Sequence, residues 1–138
     1  MKANWEKCPR GDVAPQYAGI YVTMNRKGEI AMSRATYETF GSPEAVFLLF
    51  DRNNQRIGLQ PTGRTMRDAY PVLTSGRCGG KKIHAFRLMR EYSIDLPATV
   101  KFPEAEIDDD GVLRLDLRTA EVPLRVKNHW KNQKKEVQ

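Results

Sequence analysis

The sequence predicts an α+β, mostly β fold in which two β-α-β-β repeats form one pseudo-symmetric barrel. Short segments with alternating hydrophobic residues predict the strands, because a half-buried strand has a period of two. Polar turns that contain glycine or proline separate these segments. The order of strand, basic glycine turn, strand, short helix and β-hairpin occurs in residues 17–61 and recurs in residues 68–117, at an offset of about 52 to 54 residues.

The first repeat begins with a β-hairpin. Residues 17–24 alternate strictly, with Ala18, Ile20, Val22 and Met24 on one face, which predicts a half-buried strand. A tight turn follows over residues 25–28, since its last residue is a glycine that can adopt a positive φ. Glu29 to Met32 form the second strand of this predicted hairpin.

A short helix and a second hairpin complete the first repeat. Ser33 is a favourable N-cap and Gly41 a favourable C-terminal cap, so we predict a helix over residues 34–40 that Pro43 prevents from continuing. The apolar run at residues 45–50 has the length of a buried strand. A polar turn at residues 51–55 and a return strand at residues 56–60 follow.

The second repeat has the same order with a longer turn. Residues 70–74 alternate and include Pro71, which predicts a strand at a sheet edge, and the turn at residues 75–80 follows. The helix is indicated by one apolar face: Ala85, Leu88, Met89 and Tyr92. The alternation in residues 100–107 changes phase at Pro103, which predicts a bulge or strand break. A hairpin turn at residues 108–111 precedes the last strand, in which Leu113, Leu115 and Leu117 alternate.

The remaining segments lack clear periodicity. Residues 1–16 are predicted to be an N-terminal lead-in, residues 62–67 a linker between the repeats, and residues 118–138 a basic tail. With 138 residues, 40% of them hydrophobic, the chain fits one compact soluble domain. No apolar run approaches the roughly 18 residues of a membrane span, and the N-terminus lacks the features of a signal peptide. We therefore expect a cytoplasmic protein without a membrane partner.

Charge is segregated along the chain. The net charge is +6, but residues 52–90 hold nine basic residues against the single acidic Asp68, whereas residues 91–121 are strongly acidic. The nine basic residues are Arg52, Arg56, Arg64, Arg67, Arg77, Lys81, Lys82, Arg87 and Arg90. A concentrated basic segment suits phosphate binding, because neutralising phosphates releases counterions. The simpler interpretation is a solvated surface that keeps the protein soluble.

No catalytic, cofactor or metal site is predicted. The segment Gly79 to Lys82 differs from a Walker loop, because Ser75 and Lys82 occupy positions that require glycine and a hydroxyl residue. Cys78 and His84 have no identifiable orienting group. The clustered aspartates at residues 108–110 are explained by turn formation. Cys8 and Cys78 lack metal-site spacing with the two histidines, and a disulfide between them is not expected in a reducing cytosol.

The two basic turns are the candidate binding site. Arg26 and Lys27 in the first repeat, and Arg77, Lys81 and Lys82 in the second, fall at matching points of the pattern. Glycines at these points let the backbone approach a phosphate. Basic residues on the exposed side of the second helix would extend the surface; they are Arg87 and Arg90. The alternative is that these turns are merely polar and that Arg87 forms a surface ion pair with Glu91.

The first repeat resembles the AbrB/SpoVT swapped-hairpin domain family. The resemblance lies in the run from Val22 to Arg34, in Thr39-Phe40-Gly41, and in Ile57 to Pro61. Glu29 occupies the place where many members have an arginine. Two copies in one chain are similar to the tandem arrangement of MraZ proteins. The resemblance implies a swapped-hairpin fold and dimeric bacterial transcription regulators that bind DNA through arginine-bearing loops.

We therefore expect a DNA-binding transcriptional regulator that contacts DNA through its basic hairpin turns, with a homodimer as one arrangement of the repeats. One alternative is a non-enzymatic protein-interaction module, an antitoxin or adaptor, that uses the acidic segment 91–121 and the basic tail containing Trp130. RNA binding through Tyr17, Tyr21 and the basic turns is a third hypothesis.

Overall fold

A computed structural model describes residues 3–6, 20–77 and 79–122. Within these residues, short strands and two helices follow one another. The elements are β1 (Val22–Met24), β2 (Glu29–Met32), α1 (Arg34–Thr39), β3 (Ala45–Asp51), β4 (Arg56–Thr62), β5 (Tyr70–Pro71), β6 (Leu73–Ser75), β7 (Gly80–His84), α2 (Phe86–Glu91), β8 (Val100–Lys101), β9 (Glu106–Ile107) and β10 (Leu113–Asp116).

The strands form two antiparallel sheets of five strands each. The first sheet has the order β6-β7-β2-β1-β8, and the second has the order β5-β3-β4-β10-β9. At the centre of the first sheet β2 pairs with β7, and Ile30 lies opposite Ile83. At the centre of the second sheet β4 pairs with β10, and Leu59 lies opposite Leu113. The two halves of the chain are therefore joined by backbone hydrogen bonds in both sheets.

The two sheets share one hydrophobic core. Alternate residues of the central strands are fully buried, as the period of a half-buried strand requires. From the first sheet these include Met24, Ile30 and Ile83, and from the second sheet Ile57 and Leu115. Leu88 and Met89 of α2 join the same cluster, as do Phe40 directly after α1 and Ala85 directly before α2. The fold is thus mostly β, of the α+β class, as the sequence predicts.

The predicted boundaries of α1 are confirmed to within one residue. Ser33 caps α1, because its Oγ accepts a hydrogen bond from the Thr36 amide at 3.1 Å. Gly41 follows the helix with a φ of +97°. Thr36 is the one polar side chain among the buried residues that the structure describes, and its hydroxyl accepts a hydrogen bond from the Tyr21 amide at 2.8 Å. Helix α1 is thereby fastened to the chain that precedes β1.

Two predicted strands are interrupted. The strand predicted at residues 70–74 divides at Val72 into β5, an edge of the second sheet, and β6, an edge of the first. The amide of Val72 donates instead to the carbonyl of Glu44 at 3.0 Å. The expected break at Pro103 is also present, since β8 and β9 flank it in different sheets. Proline disfavours a central ladder position, so both prolines lie where pairing ends or reaches an edge.

Several predicted features lie outside the described residues. They are most of the lead-in, the beginning of the first strand, Cys8, Cys78, His129 and the part of the basic tail from residue 123 onward, including Trp130. In the described part of the chain, neither helix has the length and apolar character required to cross a membrane.

Candidate nucleic-acid interface

The turn between β1 and β2 is held by its first residue. The side-chain Oδ1 of Asn25 accepts hydrogen bonds from the amides of Lys27 at 3.0 Å and Glu29 at 2.9 Å. The Gly28 amide donates to the Asn25 carbonyl at 3.0 Å, and Gly28 has a φ of +87°. These bonds satisfy the backbone of the turn locally, which leaves the side chains of Arg26 and Lys27 exposed at its tip.

Gly28 also fixes this turn against the start of α2. A Cβ atom added to Gly28 would lie 2.7 Å from the Cα of Phe86 and 2.8 Å from its nitrogen. The Gly28 carbonyl accepts a hydrogen bond from the Ala85 amide at 2.7 Å. This close backbone approach is open only to glycine. We call Arg26, Lys27, Arg87 and Arg90 the first basic cluster, since they project from the turn and from the helix that it touches.

The turn between β6 and β7 has a similar arrangement with α1. Its glycines at positions 76 and 79 have φ values of +75° and +80°. A Cβ atom added to Gly79 would lie 2.9 Å from the Cδ of Arg34, the first residue of α1. Arg77 is exposed in this turn, and the Nε of Arg34 is 2.9 Å from an oxygen of Glu38. We call Arg77 and Arg34 the second basic cluster.

The two lysines of β7 point in opposite directions. Lys81 has the same strand parity as the buried Ile83, and its Nζ donates to the Thr74 Oγ1 at 2.9 Å while lying 5.1 Å from the ring centre of Tyr37. Lys82 has the opposite parity and therefore lies on the outer face of the first sheet. There it is paired with Ala31 on β2, between the two turns.

The structure thus distributes the predicted site residues over three places. Four form the first basic cluster, Arg77 lies in the second, and the lysines of β7 lie between them. The basic turns are at opposite ends of the β2–β7 pair, because these strands are antiparallel. The ion pair considered for Arg87 and Glu91 is not among those found in the described residues.

Two basic residues near this surface were not predicted. Arg34 precedes Phe86 by 52 positions, so the offset between the repeats was a signal that could have identified it. Lys101 belongs to the acidic segment, but β8 pairs with β1 and places it opposite Thr23. Its Nζ lies 5.3 Å from the ring centre of Tyr21. Only the strand pairing, which the local sequence does not contain, brings Lys101 to this sheet.

The acidic segment is partly neutralised by two arginines, Arg114 of its own and Arg56 of the basic segment. Arg114 forms an ion pair with Glu106 on the neighbouring strand, and its Nε lies 4.0 Å from an oxygen of Asp108. Arg56 and Asp116 pair across β4 and β10 at 3.5 Å. The basic turns lie instead at opposite ends of the β2–β7 strand pair in the first sheet. The fold therefore brings part of the basic segment, at Arg56, against the acidic segment, whereas the basic turns lie away from it.

Turn formation accounts for the aspartates at the hairpin ends. Asp108 Oδ1 accepts hydrogen bonds from the amides of Asp110 at 2.9 Å and Val112 at 3.0 Å. At the β3–β4 turn, hydrogen bonds from the Asn54 side chain and amide hold the pKa of Asp51 below its ordinary value, with smaller contributions from the Asn53 amide and the charge of Arg56. Both carboxylates therefore have a structural role in their turns.

Comparison of the chain with protein-family models, with curated proteins and with solved structures finds no match. Function is therefore inferred from the residues and their geometry.

Proposed function

We propose that the chain is a DNA-binding transcriptional regulator of the AbrB/MraZ type, in which two repeats form one pseudo-symmetric barrel. The two basic hairpin turns would contact the duplex. The observation that carries the proposal is the position of these turns at opposite ends of one strand pair. The first turn packs against the backbone of α2, and the second contacts the Arg34 side chain of α1.

The strand pairing supports a swapped-hairpin arrangement within one chain. The central pairs, β2–β7 and β4–β10, each join one half to the other. The outer pairs are also exchanged, since β1 of the first half pairs with β8 of the second, and β5 of the second half pairs with β3 of the first. In the proposed arrangement an approximate twofold axis would pass between Ile30 and Ile83, which face each other in antiparallel strands.

The glycine contacts support the same symmetry. Gly28 touches the first residue of α2, and Gly79 touches the first residue of α1. Both glycines have a positive φ in the turn of a hairpin. The first contact is with helix backbone and the second with a side chain, but both join a hairpin turn to the first residue of a helix in the other half, as is expected if each hairpin of a twofold pair lies against the helix of its mate.

The spacing of the turns fits a DNA duplex. Gly28 and Gly79 are separated by about six strand positions, which corresponds to roughly 20 Å at 3.4 Å per residue. The major groove of B-DNA is about 12 Å wide, so the tips can reach phosphates on its two sides. Lys82 on the outer face of the sheet would then lie over the groove. Lys81, whose ammonium is engaged by Thr74 and Tyr37, would contribute less.

The expected interaction is largely electrostatic. Arg26, Lys27 and Arg77 are exposed and can contact phosphates directly, and Arg87 and Arg90 extend the first basic cluster along α2. The Glu29 carboxylate, which accepts a hydrogen bond from the Asn25 side chain at 3.1 Å, lies at the base of the first turn and would oppose phosphate binding there. Binding of this kind weakens steeply with salt.

A salt-dependent titration tests the proposal. The anisotropy of a fluorescently labelled duplex is measured as protein is added, at about 50 mM and at about 200 mM salt. Several phosphate contacts predict a large loss of affinity from the lower to the higher salt concentration. Replacing Arg26 and Lys27 together by alanine is expected to lower the salt slope by about two, since each phosphate contact contributes about one. Arg64→Ala with Arg67→Ala is the matched control, because it removes two exposed charges from the loop after β4.

Wild-type protein that binds no duplex, or binds it equally at both salt concentrations, would contradict the proposal. The protein-interaction hypothesis would then be the better one. An equal change of slope in the Arg64 and Arg67 control would show that net charge, rather than the basic turn, governs binding.

A further inference from the structure

Four residues on the outer face of the first sheet surround its central residue pair. Ile30 and Ile83 lie opposite each other and are fully buried, so the residues on either side of them in β2 and β7 point outward. These outward residues are Glu29, Ala31, Lys82 and His84. They occupy the part of the face that lies between the two basic turns.

The twofold axis of the proposed arrangement exchanges Glu29 with Lys82. The axis passes between Ile30 and Ile83; Glu29 directly precedes the first of these residues, and Lys82 directly precedes the second. A homodimer with the same symmetry would have one residue type at both positions. This chain has a carboxylate in one half and an ammonium in the other. The outer face therefore carries opposite charges on the two sides of the axis.

Both charged side chains are placed where they can project from the face. In the row that crosses the sheet at Lys82, the next residues are Ala31 on β2 and Thr23 on β1, which are much shorter than a lysine. The Glu29 Oε2 accepts a hydrogen bond from the Asn25 side chain at 3.1 Å, which orients the carboxylate. A carboxylate with one such bond can accept others.

The two charges suit opposite bases of DNA. In the major groove guanine presents the acceptors O6 and N7, which a lysine ammonium can contact, whereas cytosine presents an amino group, from which a carboxylate can accept a hydrogen bond. A carboxylate repels the phosphates, so Glu29 gains from DNA only through a base contact of this kind. Phosphate contacts by the turn tips position the duplex, and the residues between the tips are those that face the bases.

We propose that Glu29 and Lys82 determine which base sequence is bound, and that the chain binds a non-palindromic site in one orientation. Glu29 accepts a hydrogen bond from a cytosine amino group, and Lys82 contacts a guanine. This inference rests on the proposed DNA-binding function and specifies its ligand.

The strand order contains a second asymmetry of the same surface. The twofold axis relates the hairpin β1–β2 to the hairpin β6–β7, yet in the described residues β8 extends the sheet beside β1, whereas β6 is its last strand. Strand β8 adds Lys101, opposite Thr23, to the outer face. The basic surface is thus wider on one side of the axis, which also favours one orientation of the duplex.

Selection from a pool of duplexes with a random central segment tests the sequence and its symmetry. Wild-type protein is expected to enrich a motif that differs from its own reverse complement. Glu29→Lys places lysine at both symmetry-related positions, so this variant is expected to enrich a palindromic motif with a guanine in each half. Glu104→Lys is the matched control, because it makes the same change of charge at an exposed residue between β8 and β9 and should retain the wild-type motif.

The contact between Lys82 and guanine is measured on the selected duplex. Replacing each guanine of the motif in turn by 7-deazaguanine removes the N7 acceptor and keeps the base pair. One such replacement is expected to weaken wild-type binding roughly fivefold, at the lower end of the discrimination that a base contact provides. Lys82→Met is expected to be insensitive to it. Lys101→Met, which removes a lysine from the same face, should remain as sensitive as wild type.

A palindromic wild-type motif, or salt-dependent binding without an enriched motif, would overturn the inference and leave the proposed function intact. Failure to bind any duplex would overturn both. The inference is also refuted if Glu29→Lys keeps the wild-type motif, if Glu104→Lys changes it equally, or if 7-deazaguanine weakens Lys82→Met as much as wild type. Circular dichroism shows whether each variant is folded, and the wild-type selection tests the asymmetry without any variant.

Discussion

Replacement of Gly28 by alanine tests the contact between the first basic turn and α2. The positive φ of +87° costs an L-residue about 1–2 kcal/mol. The new methyl group would also meet the Phe86 backbone at 2.7 Å, and overpacking of this kind costs about 1–3 kcal/mol. We therefore expect Gly28→Ala to lower the free energy of unfolding by about 2–5 kcal/mol, a large fraction of the stability of a domain.

Two other glycines separate these contributions. Gly41 has a φ of +97°, and no atom of the described residues would lie within 4 Å of its added Cβ, so Gly41→Ala should show the backbone cost alone. Gly79→Ala would meet the Cδ of Arg34 at 2.9 Å, but that side chain is flexible and can move. Its cost is therefore expected to be close to that of Gly41→Ala.

The measurement is urea unfolding followed by far-ultraviolet circular dichroism, with the free energy extrapolated to water. The order of destabilisation should be Gly28→Ala first, with the other two variants similar and smaller. If Gly28→Ala is no more destabilising than Gly41→Ala, the turn does not pack against the backbone of α2.

Three further substitutions probe caps, buried polar groups and pH. Ser33→Ala removes the N-cap of α1 and should destabilise the fold by about 1 kcal/mol in urea unfolding, while Ser33→Asp should largely retain stability. Thr36→Val leaves the Tyr21 amide without its buried acceptor and should lower the free energy of unfolding by about 1–3 kcal/mol. Thr36→Ser keeps the hydroxyl and should lower it by less. Equal losses of stability in the two variants would contradict a role for the hydrogen bond. The depressed pKa of Asp51 means that its ionised form stabilises the fold above the ordinary carboxyl pKa, and that this contribution is lost as pH falls through the lowered value. The stability difference between wild type and Asp51→Ala, measured by thermal unfolding, should therefore shrink between pH 7 and pH 3.

The local elements could be predicted because their signals are local. The turn at residues 25–28 and the cap at Ser33 depend on the conformational preferences of a few neighbouring residues, and both are found where the sequence indicates them. The alternation of apolar residues likewise identified the inward face of β10 at Leu113 and Leu115.

The arrangement of the site depended on pairings between distant residues. Lys81 and Lys82 were both expected at the basic surface, but they are consecutive residues of β7 and therefore lie on opposite faces of the sheet. The register of β7 against β2 sets only which residues they face, Met32 and Ala31. Lys101 reaches the first sheet only because β8 pairs with β1. Register between strands from different parts of the chain is set by the whole core, so no local pattern contains it.

The central pairings of both sheets have a consequence for how the fold depends on concentration. Where two separate chains must meet to complete one core, stability changes with the amount of protein present. Here the loop at residues 63–69 connects β4 to the strands that complete both sheets, and a short connection of this kind gives an effective concentration on the order of millimolar. The two basic turns are accordingly kept at a fixed separation in a single molecule, even when the protein is dilute.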